Sequence, residues 1–355
     1  MDHLTKTENS VKWQSPSNIA IVKYWGKKGI QIPINPSISF SLSNAVTETE
    51  IVYTAKQSSN EVSLDFYFEG IRNHAFEDKI LKYLTQIKSE FKLLTQYHLS
   101  IKSKNTFPHS TGIASSASSM SSVVLCLLSI EHKEKQLSKD EFLKKASYFS
   151  RLASGSACRS VYAGFSLWGK TGAIQSSSDE YAISLSEIHP VFYDLQDSIL
   201  IVSSKQKKIS SSAGHQLMSL HPYKEARIEQ ANQHSTQLIN ALKLGDFESF
   251  IRICETEALS LHALMMTSNP SYMLIEANSL KIIEKIRHFR NESGFELCFT
   301  LDAGPNIHLL YPKSNKEEIT KFIKSELLVY CESDNWIVDE MGKGPKELNK
   351  AYYER

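Results

Sequence analysis

The side chains able to do chemistry fall in a few short stretches that lie far apart along the chain. Asp302 follows the apolar run 296–301 and precedes Ala303-Gly304-Pro305. Its carboxylate is therefore expected at a strand tip, aimed over the rim of a sheet. The same placement also suits a local Asx turn. Lys23, Tyr24 and Lys27 follow the apolar run 18–22 and surround Gly26, which permits a tight bend. Cations and a phenol at one turn suit a polyphosphate or a carboxylate. The plainer alternative is lysines on an exposed strand end. Arg159 closes the run Ser154-Gly155-Ser156-Ala157-Cys158. A guanidinium among such small residues can clamp a carboxylate or phosphate on two prongs. A helix stop followed by a surface Arg fits the same residues. Lys207 and Lys208, with Ser210, Ser211 and Ser212, bring cations and hydroxyls to another helix start.

The stretch 105–120 is of a different kind. Pro108 and Gly112 are turn formers, 114–119 are very small residues, and the apolar run 120–130 is long enough for a buried helix. The first turn of a helix carries unpaired N–H groups and partial positive charge. Small side chains there let an anion approach those groups, so the stretch reads as a phosphate cradle. A Ser-rich loop before a core helix has the same composition. Gly164 to Thr171 matches the P-loop pattern literally, but its interior is Phe-Ser-Leu-Trp and no helix pattern follows. We read it as a β-hairpin.

These groups need a scaffold. Residues 10–70 read as strands: 11–14 and 37–43 alternate with period two, as does 62–68, and Ser15-Pro16-Ser17 punctuates the first of them. Helical spacing marks 75–96, and Ser138 with Glu141 offers a capping box for a helix over 139–153. A short strand is expected at 97–102, and others at 163–168 and 198–203. From about residue 212 the texture changes to three long helices (222–243, 246–265, 272–291), then strands at 296–301 and 306–311. The boundary is expected near 190–197, giving domains 1–192 and 193–355.

At 355 residues, two domains are the prior. A net charge of +1 gives no bulk attraction for nucleic acid or a membrane surface. The five cysteines are odd in number and widely spaced, which fits free thiols in a reducing compartment. Residues 1–10 carry no apolar h-region, and no stretch approaches the roughly 18 apolar residues of a membrane helix. A cytoplasmic protein is expected.

Five of these stretches occur in one order: Asn18-Ile-Ala-x-x-Lys23-Tyr-Trp-Gly-Lys27, Asn35-x-Ser37-Ile-Ser39, Gly112-x-Ala-Ser-Ser-Ala117, Ser154-Gly-Ser-Ala-x-Arg159 and Asp302-Ala-Gly-Pro-Asn306. Together they resemble the motifs of the diphosphomevalonate decarboxylase family, within the GHMP kinase superfamily, from about residue 12 to 311. The resemblance implies an α+β fold of two domains. The N-terminal one is a mixed β/α GHMP kinase domain, the C-terminal one a ferredoxin-like α/β sandwich, with the active-site cleft between them. It implies ATP with Mg²⁺ and a homodimer. The implied reaction is 3-phosphorylation of mevalonate 5-diphosphate, then loss of phosphate and CO₂ to give isopentenyl diphosphate.

Carried over position by position, the resemblance puts Asp302 beside the tertiary 3-hydroxyl. Arg159, held by Asn18, lies on the C1 carboxylate, and Lys23 is near Asp302. Tyr24, Lys27, Ser154, Ser156 and Ser211 hold the substrate, chiefly its diphosphate. Pro108, Gly112, Ala114, Ser115, Ser116, Ala117 and Ser118 form the ATP phosphate loop, with Ser115 or Ser116 near the metal. His109, Pro36 and Ser212 depart from the usual pattern. Related enzymes act on mevalonate 5-phosphate or stop at 3-phosphorylation of mevalonate. A ligand sensor on the same fold is the non-enzymatic alternative, and Asp302 argues against it.

Overall fold

Alternating apolar residues build two sheets, and long helices fill the space between them. The computed structural model describes residues 9–57, 59–107, 115–133, 137–205 and 209–348. Strand β1 (Asn9–Val22) pairs antiparallel with β2 (Ser37–Ala55), from Asn9 opposite Tyr53 to Val22 opposite Ile38. The run Ser15-Pro16-Ser17, read as punctuation, lies inside β1. Pro16 cannot donate to the ladder, and the register shifts between Pro16 and Asn18, so the strand continues through a bulge. A second shift lies between Ala20 and Val22.

Strand β3 (Ser63–Phe68) leads into helix α1 (His74–Ile87), and β4 (Tyr97–Asn105) returns between β2 and β3, parallel to β3. Helix α2 (Ser115–Glu131) lies on β1 and β2. Helix α3 (Lys139–Ala153) starts on the expected capping box: Ser138 Oγ accepts the Glu141 N–H, and the Glu141 carboxylate accepts the Ser138 N–H at 3.0 Å. Strands β5 (Phe165–Trp168) and β6 (Ala182–Ser184) form the hairpin expected in place of a P-loop. β5 also pairs with the first residues of β2. The sheet has eight strands among the described residues, and Lys346–Glu347 forms its outer edge on β1, opposite Trp13 and Gln14.

The second sheet is antiparallel. Its central strand β7 (Gln196–Leu200) lies between β9 (Ile307–Tyr311) and β10 (Trp336–Glu340), with β8 (Cys298–Thr300) beyond β9. Before β8 the chain forms helices α4 (Lys224–Leu244), α5 (Phe247–Met266) and α6 (Ala277–Ser293). The last starts later than the spacing suggests, because Ser279 Oγ accepts the Glu276 N–H and fixes the first turn there.

α4 and α5 lie between the sheets. Ile19, Ile21 and Phe40 of the first sheet share one core with Leu238, Leu242, Phe250 and Ile253 of these helices and with Ile199 and Leu310 of the second sheet. Truncating Phe40 to Ala would cost about 3–5 kcal/mol. Asp339 of β10 reaches across and accepts the N–H groups of Ser43, Asn44 and Ala45, so the carboxylate ties the two sheets together. All five cysteines are buried free thiols. Among the described residues no helix is long and apolar enough to cross a membrane.

Candidate active site

Strand β1 ends at Val22 and delivers Lys23 to the rim of the first sheet. The second sheet delivers Asp302 just after β8, where Gly304 N–H donates to the Asp302 carbonyl and tightens the turn. The two meet: Lys23 Nζ lies 2.9 Å from Asp302 Oδ1. The Lys23 side chain is 2% exposed and that of Asp302 27%, so the ammonium is sunk while the carboxylate still faces the cleft. A salt bridge of this kind holds the carboxylate in one place at the cleft.

Arg159 sits on the 3-10 turn Gly155–Arg159 that follows α3. It is buried, and Asn18 of β1 holds it: Asn18 Oδ1 accepts from Arg159 Nε at 3.2 Å. The Asn18 amide donates in turn to Ser156 O at 3.2 Å and Ser160 Oγ at 2.8 Å. Ser37 Oγ accepts from Arg159 Nη1. Two partners, Asn18 and Ser37, therefore fix the guanidinium plane at the cleft wall.

Gly26 has φ +96°, a conformation that strains any side chain, and a Cβ there would lie 2.3 Å from Ile34 Cδ1. The bend it permits turns Lys27 back over the cavity, where its Nζ donates to Gln31 Oε1 at 3.1 Å. Burial pushes the Lys27 ammonium down from its usual pKa. The Tyr24 ring packs between Trp168 and His215, with centroids 4.6 and 4.3 Å away. Its hydroxyl is buried and has no hydrogen-bond partner among the described residues. His215 Nδ1 accepts the Gly26 N–H at 2.9 Å, which requires a neutral ring. Burial first, then Lys27 and Arg159, bring its pKa down to about 3.

Lys23, Tyr24, Lys27, Asn18, Arg159, Ser154, Ser156, Ser211 and Asp302 all line one cavity of about 420 Å³. Ser116, on the first turn of α2, lines it too, with its hydroxyl 3.5 Å from that of Ser154. An apolar arm continues the cavity between Phe66, Phe68, Phe76, Ile80 and Val123. Ser118 and Ala117 are turned away. Both are buried, and the Ser118 hydroxyl bonds Thr47 of β2 at 2.6 Å, so its side chain serves the sheet. Ser115 has its carbonyl bonded by Ser118 and does not line the cavity. Pro108, His109, Gly112 and Ala114, like Lys207 and Lys208, lie outside the described residues. Ser212 lines the cavity beside Ser211.

Several residues that support the site were not singled out from sequence. Glu257 of α5 accepts the Lys23 backbone N–H at 2.8 Å and is held by Arg227 at 2.6 and 2.7 Å and by His234 at 2.6 Å. His262, on the same helix, donates from Nε2 to the Asp302 carbonyl at 3.1 Å. Charged residues on a helix ordinarily read as a solvated face, so the sequence carried no signal for them. For His215 the one available signal was its place four residues after Ser211.

Among the described residues no group of three His, Cys, Asp or Glu side chains could hold a metal ion. The oxygen donors near the α2 start include the hydroxyls of Ser116, Ser119 and Ser154, which suit a hard cation arriving with phosphate oxygens.

The two-domain α+β fold and this cleft define a GHMP-kinase-like enzyme, with a helix start facing an acid-tipped strand. Residues 15–182 match the model of a diphosphomevalonate decarboxylase-like N-terminal domain, and residues 198–352 that of a mevalonate 5-diphosphate decarboxylase C-terminal domain. A mevalonate diphosphate decarboxylase from Legionella pneumophila, solved by crystallography, is 30% identical, with TM-score 0.76 over 93% of this chain and 100% of its own. MDDEF, solved in complex with MVAPP, AMPPCP and magnesium, is 25% identical, with TM-score 0.81 over 96% of this chain and 98% of its own. The diphosphomevalonate decarboxylase of Eremothecium gossypii is 28% identical over 91% of this chain and 82% of its own. The chain belongs to the diphosphomevalonate decarboxylase family.

Proposed function

We propose that the chain decarboxylates mevalonate 5-diphosphate in an ATP-dependent reaction and forms isopentenyl diphosphate. The observation that carries this reading is the Lys23–Asp302 pair, open to the same cavity as Arg159 and the α2 start. ATP, with Mg²⁺ on its phosphates, supplies the phosphoryl group that turns the tertiary 3-hydroxyl into a leaving group. Ser116 is the side chain offered to that end of the nucleotide, and the apolar arm suits a flat base.

The remaining work belongs to the chain's own residues. Asp302 takes the proton from the 3-hydroxyl, and Lys23 holds its carboxylate on target. A placed base is worth about 10²–10⁴-fold, which matters for a crowded tertiary alcohol. Arg159 grips the C1 carboxylate and sets the C–C bond that breaks in line with the departing phosphate. Asp302 then returns that proton to the departing phosphate, and its carboxylate faces the positive charge that develops at C3. Lys27, Tyr24, Ser154, Ser156 and Ser211 hold the diphosphate at the far end. Tyr24 brings to that task a buried hydroxyl with no partner of its own among the described residues.

The test is a panel of three substrates. With ATP and Mg²⁺, CO₂ release from mevalonate 5-diphosphate should far exceed that from mevalonate 5-phosphate or mevalonate. Faster release from the monophosphate would overturn the choice of substrate.

A further inference from the structure

Lys23 and Asp302 come from different sheets, so something must set the distance between them. One helix touches both backbones. Glu257 of α5 accepts the Lys23 N–H, and Arg227, paired with that carboxylate through both Nη atoms, donates to the Lys23 carbonyl at 3.0 Å. Asn35 donates to the same carbonyl at 3.0 Å. Both polar groups of the Lys23 residue are thus pinned. Five residues further along α5, His262 pins the Asp302 carbonyl. Five residues rotate the helix by about 140° and advance it by about 7.5 Å, so the two side chains leave α5 toward different walls of the cleft. Leu261 lies between them and lines the cavity.

Resting on the proposed reaction, we infer that Glu257 and His262 are positioning residues and that α5 is the spacer that fixes Lys23 against Asp302. Plain stabilisation is a poor account of this cluster. Glu257 is fully buried with Arg227 and His234, and desolvation consumes most of what such buried ionic groups gain; an apolar trio of similar volume would often hold a fold as well. What an apolar trio cannot do is fix both polar groups of one residue. The carboxyl stays ionised: burial acts to raise its pKa, but Arg227 and His234 bring it down to about 2. His262 is likewise buried, and its ring bonds the backbone of Asp302 while leaving the carboxylate to the cleft.

The experiment measures kcat and KM for mevalonate 5-diphosphate in E257Q, H262F and H262Q, and repeats E257Q in a K23M background. Substrate Kd is measured by calorimetry on each folded variant. A displacement of about 1 Å costs about 10²-fold in rate, so E257Q and H262F should lose about 10–100-fold in kcat, with KM and Kd within about threefold of wild type. H262Q, which keeps an N–H donor, should regain most of the loss. If Glu257 acts through Lys23, adding E257Q to K23M should cost less than about twofold more. An unchanged kcat in both E257Q and H262F, a loss that H262Q does not recover, or an E257Q loss equally large in the K23M background would overturn the inference. Should E257Q fail to fold, H262F against H262Q decides on the same criteria. A wild-type enzyme that releases no CO₂ from mevalonate 5-diphosphate overturns the proposed reaction as well. Active wild type with indifferent variants overturns this inference alone.

Discussion

Lys23 Nζ and Asp302 Oδ1 lie 2.9 Å apart although 279 positions separate them in the chain. One group leaves the end of β1 and the other the end of β8, so the pair exists only when both sheets are packed on α4 and α5. The contact is therefore a report on the whole fold, made inside the cavity.

Asp302→Ala removes the proposed base and the counter-charge of Lys23 together. Turnover should fall by about 10²–10⁴-fold or more, since proton removal alone is worth that range. Binding of mevalonate 5-diphosphate should stay close to wild type, because the diphosphate and carboxylate grips are elsewhere. CO₂ trapping beside calorimetric titration checks both halves, and a variant with near-normal turnover would remove Asp302 from its role.

Arg159→Lys keeps the charge and loses the fork. Asn18 Oδ1 and Ser37 Oγ are then left without the donors that now satisfy them. Hydrogen bonds to charged groups are worth about 1.5–3 kcal/mol, so kcat/KM should drop by about 10–100-fold. Steady-state kinetics on mevalonate 5-diphosphate measure this directly.

Tyr24→Phe deletes a buried hydroxyl that has no partner among the described residues. Burial already pushes that phenol's pKa well up, so it stays protonated. The free protein should lose no stability, while KM for the diphosphate substrate rises and kcat changes little. Gly155→Ala tests the same spot from the other side. Its Cβ would lie 2.8 Å from Tyr24 Oη and 2.9 Å from Trp168 Cη2, both on packed rings. Thermal melting should show destabilisation in G155A and none in Y24F.

His215 gives a pH signature. Its folded pKa, about 3, lies below the usual value of 6.5, so on acidification the unfolded chain takes up this proton first. The stabilising contribution is complete above about pH 6.5 and declines as pH falls, by up to about 1.4 kcal/mol per unit. Urea midpoints measured between pH 6.5 and 5, above the range where most carboxylates titrate, should fall in wild type and fall less in H215Q. Parallel slopes would contradict the neutral, buried ring.

The groups that line the cavity were legible because motifs keep them beside turn formers: Lys23 and Lys27 around Gly26, Asp302 before Gly304-Pro305, Arg159 after a run of small residues. Asn18 as the partner of Arg159 followed from family resemblance, and the structure pairs them. What stayed hidden is the layer behind. Arg227, His234 and Glu257 sit on helices whose polar residues look solvent-facing, and they are buried because α4 and α5 pack on each other and on the first sheet, with β8 on α5 as well. The full length of β2 was hidden too. Its alternation breaks at Ser43-Asn44-Ala45, where the backbone bonds go to Asp339. A partner nearly 300 residues away leaves no trace in local periodicity.

The outer strand Lys346–Glu347 and the Asp339 carboxylate bear on how this molecule is made. During translation, most of the first sheet leaves the ribosome with its Trp13–Gln14 edge bare and three β2 amides still hydrated, waiting for acceptors encoded hundreds of codons downstream. A nascent chain in that state is a natural client for chaperones. It also follows that severing the polypeptide between the two sheets would yield a front half lacking its own rim, rather than a self-sufficient module.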